Sequence, residues 1–350
     1  MNTTRVVELD TSLRRLSATG LDPAIARIIT AIARTSAGLA DRLSHLAPTD
    51  TGDETRQRAG ERIDIVAHDR FVEALAQARV HSVLSESAHA PLALDRSAAF
   101  AVTIDPLEGW RNLASNAPLG TIFSVVAAKH RDMAWGGRSA CAAADFLQSG
   151  RGLSAAGFVM YGPATVMALT VGTGTQLFVF DRAHGSFVRS CTNARIPIGT
   201  REFAINASNY RHWDAPLRNY IDDLVAGAAG PRGEDFTMRW TAALVSEAYH
   251  ILVHGGIFLS PADARDGHTH GQVRLITQAR PIAFVMEQAG GAAVDMTGPV
   301  LDRRPLDVHE YSPLVFGSHD KVDRVAHYDG DSPFSGERSP LFAHRGLFRL

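Results

Sequence analysis

The chain has 350 residues, of which 45% are hydrophobic and 21% charged, and its formal net charge is −2. This composition is ordinary for a folded globular protein, and the length suits two packed lobes better than a single core. A net charge so close to zero provides no general basic surface, and we expect neither a nucleic acid nor an anionic membrane as a partner. The two cysteines, Cys141 and Cys191, are too few for a disulfide framework or a cysteine-rich zinc site.

The uncharged segment 152–180 is long enough to raise the question of a membrane span. Glycines and Pro163 divide it into short runs rich in Val, Thr and Phe, which is typical of buried strands. The first residues include several charges and no apolar signal-like core. We therefore expect no membrane insertion and a cytoplasmic location.

The first lobe is predicted over residues 1–195 and begins with helices. Apolar residues between Ile25 and Leu39 recur at helical spacing, and Asp22 and Pro23 suit the start of that helix. A further helix and a series of strands follow, the helix predicted over 64–78 and the strands over 81–84, 98–104, 121–126, several short runs within 152–180, and 186–191.

The second lobe is predicted over residues 196–328, where strands and helices alternate. Its helices are predicted over 214–226, 241–253 and 281–289, and its strands end at Asn206 and cover 256–260 and 273–277. This alternation predicts an α/β fold of two lobes, with alternating helix and sheet layers. The segment 329–350 is rich in Ser, Gly and Pro, and we expect a poorly ordered or docking tail there.

The segment 104–109 carries two carboxylates, Asp105 and Glu108, at the end of an apolar strand. A proline and a glycine in this segment favour a turn, which would direct both side chains and the Leu107 carbonyl at one point. Oxygen ligands of this kind suit Mg²⁺. Glu86 ends the preceding strand and would join them if the two strands run parallel. The alternative is a solvated turn with two surface acids.

The run Asp-Pro-Leu-Glu-Gly over 105–109, followed by Gly-Thr-Ile-Phe over 120–123, resembles class I fructose-1,6-bisphosphatases, in particular the bacterial forms. Further blocks match in the same order, among them Ile63–Ile65, Ser85–Glu86, Asn209–Tyr210, Gly255–Leu259, Arg274–Leu275, Met286–Glu287 and Asp307–His309. So many ordered blocks make the resemblance specific, and it implies the two-lobed sugar phosphatase fold.

The resemblance implies metal-dependent hydrolysis of the 1-phosphate of fructose 1,6-bisphosphate to fructose 6-phosphate and phosphate, as in gluconeogenesis or the Calvin cycle. The implied cofactor is Mg²⁺ or Mn²⁺, held between carboxylates and the 1-phosphate. It also implies a homo-oligomer, a dimer or tetramer, because the arginine at position 239 reaches a neighbouring subunit's 6-phosphate site in that family. A guanidinium suits this role through its fixed fork of donors.

By the same resemblance, Asp64 and Glu86 would be the catalytic residues. The implied metal ligands are Glu86, Asp105, the Leu107 carbonyl, Glu108 and Gln278. The implied substrate-binding residues are Glu108, Gly109, Trp110, Arg111, Asn206, Tyr210, Arg239 and Gln272.

Several positions depart from the family pattern. Gln278 stands where the family has a metal-ligand Glu, and Ser87 replaces an acid that assists the residue at position 64. The remaining departures are Glu108 for an Asp ligand, Arg58 at about the place of an acidic loop residue, Trp110 and Arg111 for two serines that contact the 1-phosphate, and Ser260 and Gln272 for a Tyr and a Lys of the sugar pocket. These changes keep two alternatives open: an impaired paralogue that binds sugar phosphates, and a phosphatase of changed substrate, for example an inositol phosphate or another bisphosphate.

Three candidate positions also have purely structural interpretations. Arg239 could be a surface cation, and Asn206 could terminate a strand. His268 and His270 have a spacing that could bind a metal, but without cysteines or further acids nearby a solvated loop is favoured.

Overall fold

The computed structural model describes residues 7–45, 53–128 and 143–330, with side chains throughout except at 53–60, 326, 327, 329 and 330. Arg58 is therefore described only as part of a helix, and Cys141 lies outside the described residues. The described chain begins with three helices, α1 Leu9–Ala18, α2 Pro23–Ser44 and α3 Asp53–Gln77.

Helix α2 starts where the sequence predicted. The Asp22 side chain accepts a hydrogen bond from the backbone N–H of Ala24 at 2.7 Å, and Pro23 occupies the first turn. Both features satisfy the needs of a helix N-terminus, which has backbone donors without intrahelical partners. The isoleucines of α2 form its buried face. Helix α3 begins earlier than the predicted residue 64.

An eight-stranded sheet follows, with strand order β2-β1-β3-β4-β5-β6-β7-β8. Its strands are β1 Ser82–Ser85, β2 Leu92–Ala93, β3 Phe100–Glu108, β4 Leu119–Ala127, β5 Leu153–Tyr161, β6 Thr165–Thr170, β7 Thr175–Asp181 and β8 Ser186–Ala194. Strand β1 runs parallel to β3, and the other neighbours are antiparallel. The uncharged segment 152–180 forms β5, β6 and most of β7, as predicted. None of the described helices is long and apolar enough to cross a bilayer.

The rest of the described chain alternates helices with a five-stranded sheet of order β10-β9-β11-β15-β13 and a small ladder of β12 and β14. The strands are β9 Glu202–Ile205, β10 Thr237–Met238, β11 Ile257–Ser260, β12 Val273–Arg274, β13 Ala292–Val294, β14 Tyr311–Ser312 and β15 Leu314–Gly317. The helices are α4 Ala215–Val225, α5 Leu244–His254, α6 Arg280–Gln288 and α7 His319–Gly330.

Three apolar clusters show how these elements are layered. Neighbouring residues of one strand enter different clusters, because strand side chains alternate between faces. Phe123 packs with α1, α2 and α3, whereas Ile122 packs with α5, α6 and one face of the second sheet. Phe258 belongs to that same middle cluster, whereas Leu259 packs with α4 and α7. The layers are therefore helix, sheet, helix, sheet, helix, which confirms the predicted α/β fold of alternating layers.

Three local predictions need correction. Strand β3 does not stop at residue 104 but continues to Glu108, and its pairing shifts between Asp105, opposite Ile122, and Glu108, opposite Gly120. The extra residue is a β-bulge, which accommodates a proline because a ladder bond is already missing there. The predicted strand 273–277 is only two residues long and passes into a π-helical turn, Leu275–Ala279. The predicted tail begins inside α7, and its residues from 331 onward lie outside the described residues.

Candidate active site

Glu86 and Asp105 lie side by side at one end of the first sheet. Strand β1 pairs in parallel with β3, with Ser85 opposite Ile104, and the Glu86 N–H donates to the Ile104 carbonyl at 2.9 Å. The next residue on each strand is a carboxylate. Parallel neighbours end at the same edge of a sheet, so this is the placement that the sequence predicted.

Asp105 is almost fully enclosed, with 4% of its surface exposed. Its Oδ2 accepts a hydrogen bond from Nε2 of Gln278 at 2.6 Å, and its Oδ1 accepts one from the Leu107 N–H at 3.3 Å. Burial, together with the nearby charges of Glu86 and Glu108, raises the pKa of Asp105 well above its ordinary value. A buried carboxyl group in negative surroundings favours either a proton or a bound cation.

Arg274 faces Glu86 with its Nε 3.4 Å from the Glu86 carboxylate. Its Nη1 donates to the His309 carbonyl at 2.6 Å, and its guanidinium lies 4.1 Å from the ring centroid of Tyr311. Sequence reasoning matched this arginine as part of a block and gave it no role. The sequence signal for a role of Arg274 would have been a single positive charge in an otherwise apolar strand, four residues before Gln278.

Asp64 reaches the same edge from helix α3. The Ser87 hydroxyl, just after Glu86, donates to Asp64 Oδ2 at 2.9 Å. The pKa of Asp64 is raised by burial and further by Glu86, and the Ser87 hydrogen bond opposes this rise. His68 on the same helix contacts the Ser85 hydroxyl at 2.8 Å and ties α3 to β1. The hydroxyl of Ser87 therefore touches Asp64, at the position where the resemblance to the family implies an acid.

Glu108 takes a different direction from the one predicted. Its two carboxylate oxygens accept the backbone N–H groups of Leu244 and Val245, at 3.0 and 3.2 Å, at the start of α5. A helix N-terminus carries unpaired N–H donors and a partial positive charge, so it attracts a carboxylate. Burial nevertheless raises the pKa of Glu108 to about 7.

The expected convergence of Glu86, Asp105 and Glu108 on one point is therefore not found. Among the described residues, no three His, Cys, Asp or Glu side chains are placed so that they could hold an ion together. The physical reason lies in the bulge of β3 and in the α5 N–H groups, which engage both oxygens of Glu108.

The residues after Glu108 form a tight connection. Gly109 has a left-handed backbone with φ 74°, and a Cβ there would lie 3.3 Å from the Cβ of Ala243. Trp110 and Arg111 begin a 3₁₀ turn, Trp110–Ser115. The Arg111 guanidinium is exposed and lies 5.0 Å from the Trp110 ring centroid. Arg111 is therefore an exposed cation that lies against the Trp110 ring.

The predicted sugar-phosphate residues of the second lobe are held in contacts within the chain. Asn206 accepts the Ser208 N–H at 3.2 Å and so caps a short 3₁₀ helix, and the Tyr210 hydroxyl lies 2.8 Å from Asp222. Arg239 follows β10 and its Nε donates to Glu202 at 2.6 Å. Gln272 is exposed. His268 and His270 lie in a loop, as favoured, and His268 faces Asp263, which pairs with Arg265.

A cavity of about 710 Å³ adjoins this site. Its wall includes His309 and Tyr311, two of the residues that contact Arg274, and also the ion pair of Arg303 with Asp295 at 2.7 Å. None of the predicted metal or substrate residues lines it. The end of the first sheet that carries Glu86 and Asp105 is called the carboxylate edge. The cavity is connected to this edge only through His309 and Tyr311, which contact Arg274.

Comparison with known proteins identifies the family. The family models of the fructose-1-6-bisphosphatase N-terminal and C-terminal domains match residues 16–192 and 196–329. A class 1 fructose-1,6-bisphosphatase of Sinorhizobium medicae is 47% identical over 85% of this chain and 84% of that protein. A class 1 fructose-1,6-bisphosphatase of Rhizobium meliloti is 47% identical over 86% of this chain and 84% of that protein.

Among solved structures, the fructose-1,6-bisphosphatase of Leishmania major in apo form has the same fold. It matches with a TM-score of 0.84 at 24% identity, and the match covers 93% of this chain and 100% of that chain. The two domain matches together span most of the sequence, and the relatives are matched over most of their length. The chain belongs to the fructose-1,6-bisphosphatase family.

Proposed function

We propose that this chain is a fructose-1,6-bisphosphatase that removes the 1-phosphate from fructose 1,6-bisphosphate and leaves fructose 6-phosphate and phosphate. The observation that carries the proposal is the placement of Glu86 and Asp105 on parallel strands at one edge, in a chain of this family. Residues 1–195 would be the lobe with the metal-binding carboxylates, and residues 196–328 the sugar-phosphate lobe.

The residues at this edge fit a divalent cation. Asp105 is buried among negative charges, and oxygen atoms of Glu86, Asp105 and the Leu107 carbonyl are the ligand type that Mg²⁺ or Mn²⁺ prefers. When bound, the cation would offset the phosphoryl charge and lower the pKa of the attacking water. We propose Mg²⁺ as the cofactor, with Mn²⁺ as a substitute.

The side chains of the chain supply the rest of the chemistry. Asp64 is suited to accept the proton of the attacking water, because burial raises the pKa of its carboxyl group toward the working range of a general base. Ser87 holds one oxygen of Asp64 and so orients it. Arg274 brings a cation beside Glu86, where it can bind phosphate oxygens.

We further propose that the enzyme works as a cytoplasmic homo-oligomer, a dimer or tetramer. Arg239 has 56% of its side chain exposed at the edge of the second sheet. Its neighbours Met238 and Trp240 are apolar and also exposed, by 47% and 37%. Exposed apolar side chains around an arginine are typical of a protein interface. In this arrangement Arg239, with Asn206 and Tyr210, would bind the 6-phosphate.

Phosphate release tests the proposal. Purified protein with fructose 1,6-bisphosphate and Mg²⁺ or Mn²⁺ is expected to release inorganic phosphate, and a chelator is expected to abolish the release. Equal release with and without the chelator would contradict a metal-dependent reaction. No release from any sugar bisphosphate would contradict phosphatase activity.

One observation favours a second candidate, a sugar-phosphate-binding protein of low activity. Both oxygens of Glu108 are used by α5, and the amide of Gln278 is used by its neighbours. Binding without turnover distinguishes the two functions. Under the second candidate, fructose 1,6-bisphosphate raises the melting temperature while no phosphate is released at any Mg²⁺ concentration.

A further inference from the structure

Gln278 joins two residues of the carboxylate edge. It lies in the π-helical turn Leu275–Ala279, between β12 and α6. Its Oε1 accepts the backbone N–H of Arg274 at 2.9 Å, and its Nε2 donates to Asp105 Oδ2 at 2.6 Å. Both ends of its amide are therefore engaged.

The direction of this amide follows from its partners. A backbone N–H can only donate, so the amide atom that faces Arg274 must be the oxygen. The NH₂ group is then left to face Asp105, whose carboxylate accepts. Turning the amide over would set an N–H donor against the Arg274 N–H and an oxygen against the Asp105 carboxylate. The observed direction is the one in which all four groups are satisfied.

A cation on this Asp105 oxygen would meet the hydrogens of the NH₂ group. The oxygen of Gln278, the one atom of its side chain able to ligate a metal, points to the backbone of Arg274. We propose that Gln278 is a positioning residue that holds Asp105 and competes with the cation for it, and is not itself a metal ligand. This inference rests on the metal site of the proposed function.

The same short segment also acts on Glu86. The side chain of Arg274 lies 3.4 Å from Glu86, while its backbone N–H fixes the amide that holds Asp105. Residues 274–278 thus place a guanidinium on one carboxylate and an amide donor on the other. In the metal-free protein they supply part of the positive potential that a cation would otherwise give. A π-helical turn is often found at such functional positions.

Two substitutions separate a positioning residue from a ligand. Gln278→Met keeps the length of the side chain and removes both hydrogen bonds. Gln278→Glu puts an oxygen where Nε2 now lies, 2.6 Å from Asp105. Two carboxylates so close require a shared proton or a cation between them. Gln288→Met is the matched control, because the Gln288 side chain accepts a structural hydrogen bond from the Gly174 N–H at 2.9 Å.

The test is calorimetric titration of the chelator-treated proteins with Mn²⁺, together with melting temperatures in chelator. We expect Gln278→Met to bind Mn²⁺ as tightly as the wild type or more tightly, although it melts at a lower temperature. We expect Gln278→Glu to bind Mn²⁺ about tenfold more tightly, the scale of changes around a metal ligand. The control is expected to change the melting temperature alone.

A loss of Mn²⁺ affinity of about tenfold or more in Gln278→Met would overturn the inference, since a metal ligand is expected to cost at least that much. Unchanged or weaker binding by Gln278→Glu would also overturn it, because removal of the Nε2 donor would then have left the affinity for the cation no higher. Absence of Mn²⁺ binding in the wild type and both variants would remove the metal site, and with it the proposed function as well. Either of the first two results would overturn only the role of Gln278 and would leave the proposed metal-dependent function standing.

Discussion

The two sides of the candidate active site differ in how they are held. On the proposed metal side, Glu86 and Asp105 lie next to each other at the ends of two parallel-paired segments, and Asp105 is 4% exposed. On the sugar side, Asn206, Tyr210 and Arg239 are each tied to a partner within the chain, and Arg239 is 56% exposed. On the proposed metal side two carboxylates thus already lie next to each other within one chain, whereas the proposed phosphate side would become a site only when Arg239 changes its partner. We expect substitutions on the two sides to change different kinetic parameters of the enzyme.

The largest effect is expected from Asp105→Asn. It removes the charge of a carboxylate that is only 4% exposed, and we expect phosphatase activity to fall by at least about 100-fold, the upper range for changes around a metal ligand. The raised pKa of Asp105 means that its ionised form costs stability. Steady-state rates and melting in chelator at pH 8 are the measurements, and the variant should be no less stable than the wild type. Activity within a few fold of wild type would break the assignment of the metal side.

Asp95→Asn is the matched control for that variant. Asp95 pairs with Arg79 at 3.0 Å far from the carboxylate edge, and its hydrogen bonds with Ser97 and Arg79 lower its pKa to about 2. Because its ionised form is favoured in the folded protein, the change should reduce stability above pH 4 and leave activity unchanged.

Arg239→Met should act on the other side. It removes a charged donor from the proposed 6-phosphate site, and we expect KM to rise on the order of tenfold with a smaller change in kcat. Arg201→Met is the matched control, since Arg201 is also exposed and pairs with Glu234 at 2.7 Å. A tenfold loss of kcat at unchanged KM would place Arg239 in the chemistry and erase the contrast between the two sides.

The stability of the folded protein is expected to depend on pH through Glu108, which joins the two sides through α5. Its pKa is raised from about 4.5 to about 7, so the stability that it contributes is complete below pH 4.5 and is lost as the pH rises through 7. Without metal, the melting temperature should therefore fall between pH 4.5 and 7, and Glu108→Gln should reduce that fall by several degrees. Differential scanning calorimetry at several pH values measures this. An equal slope in the variant would show that Glu108 is not the titrating group.

The smallest effect is expected from Ser87→Ala. The Ser87 hydroxyl lowers the pKa of Asp64, so its loss should raise that pKa. The acidic limb of the plot of log kcat/KM against pH should then move to higher pH, by less than about one unit for one hydrogen bond. Ser97→Ala removes a similar hydrogen bond, to Asp95 at 2.6 Å, and should leave the limb in place. A limb that moves to lower pH would contradict Asp64 as the general base.

Much of the fold followed from periodic patterns. The helical spacing in α2 and the apolar runs of β5 to β7 are signals that depend on neighbouring residues alone, and both predictions are confirmed. An acidic site at the shared edge could also be expected if β1 and β3 ran parallel, because an acid lies at the end of each predicted strand. The β-bulge at Asp105 and the π-helical turn at Gln278 could not, because both depend on packing between distant segments.

The same limit applies to the side chains of the site. The residue types of Glu108, Gln278 and Arg274 can be read from the sequence, but their partners lie 136, 173 and 188 residues away. Whether Glu108 turns to a metal or to the N-terminus of α5 depends on how the lobes meet. Contacts between lobes leave no periodic signal, so these directions became known only with the structure.

The most direct test of the central claim is the rate of phosphate release from fructose 1,6-bisphosphate as a function of Mg²⁺ concentration, for the wild type and for Glu86→Gln and Asp105→Asn. We predict a rate for the wild type that rises with Mg²⁺ and saturates, and no measurable saturation in either variant at the same protein concentration. Variants with wild-type rates and an unchanged Mg²⁺ dependence would contradict the claim that Glu86 and Asp105 form the metal side of the active site.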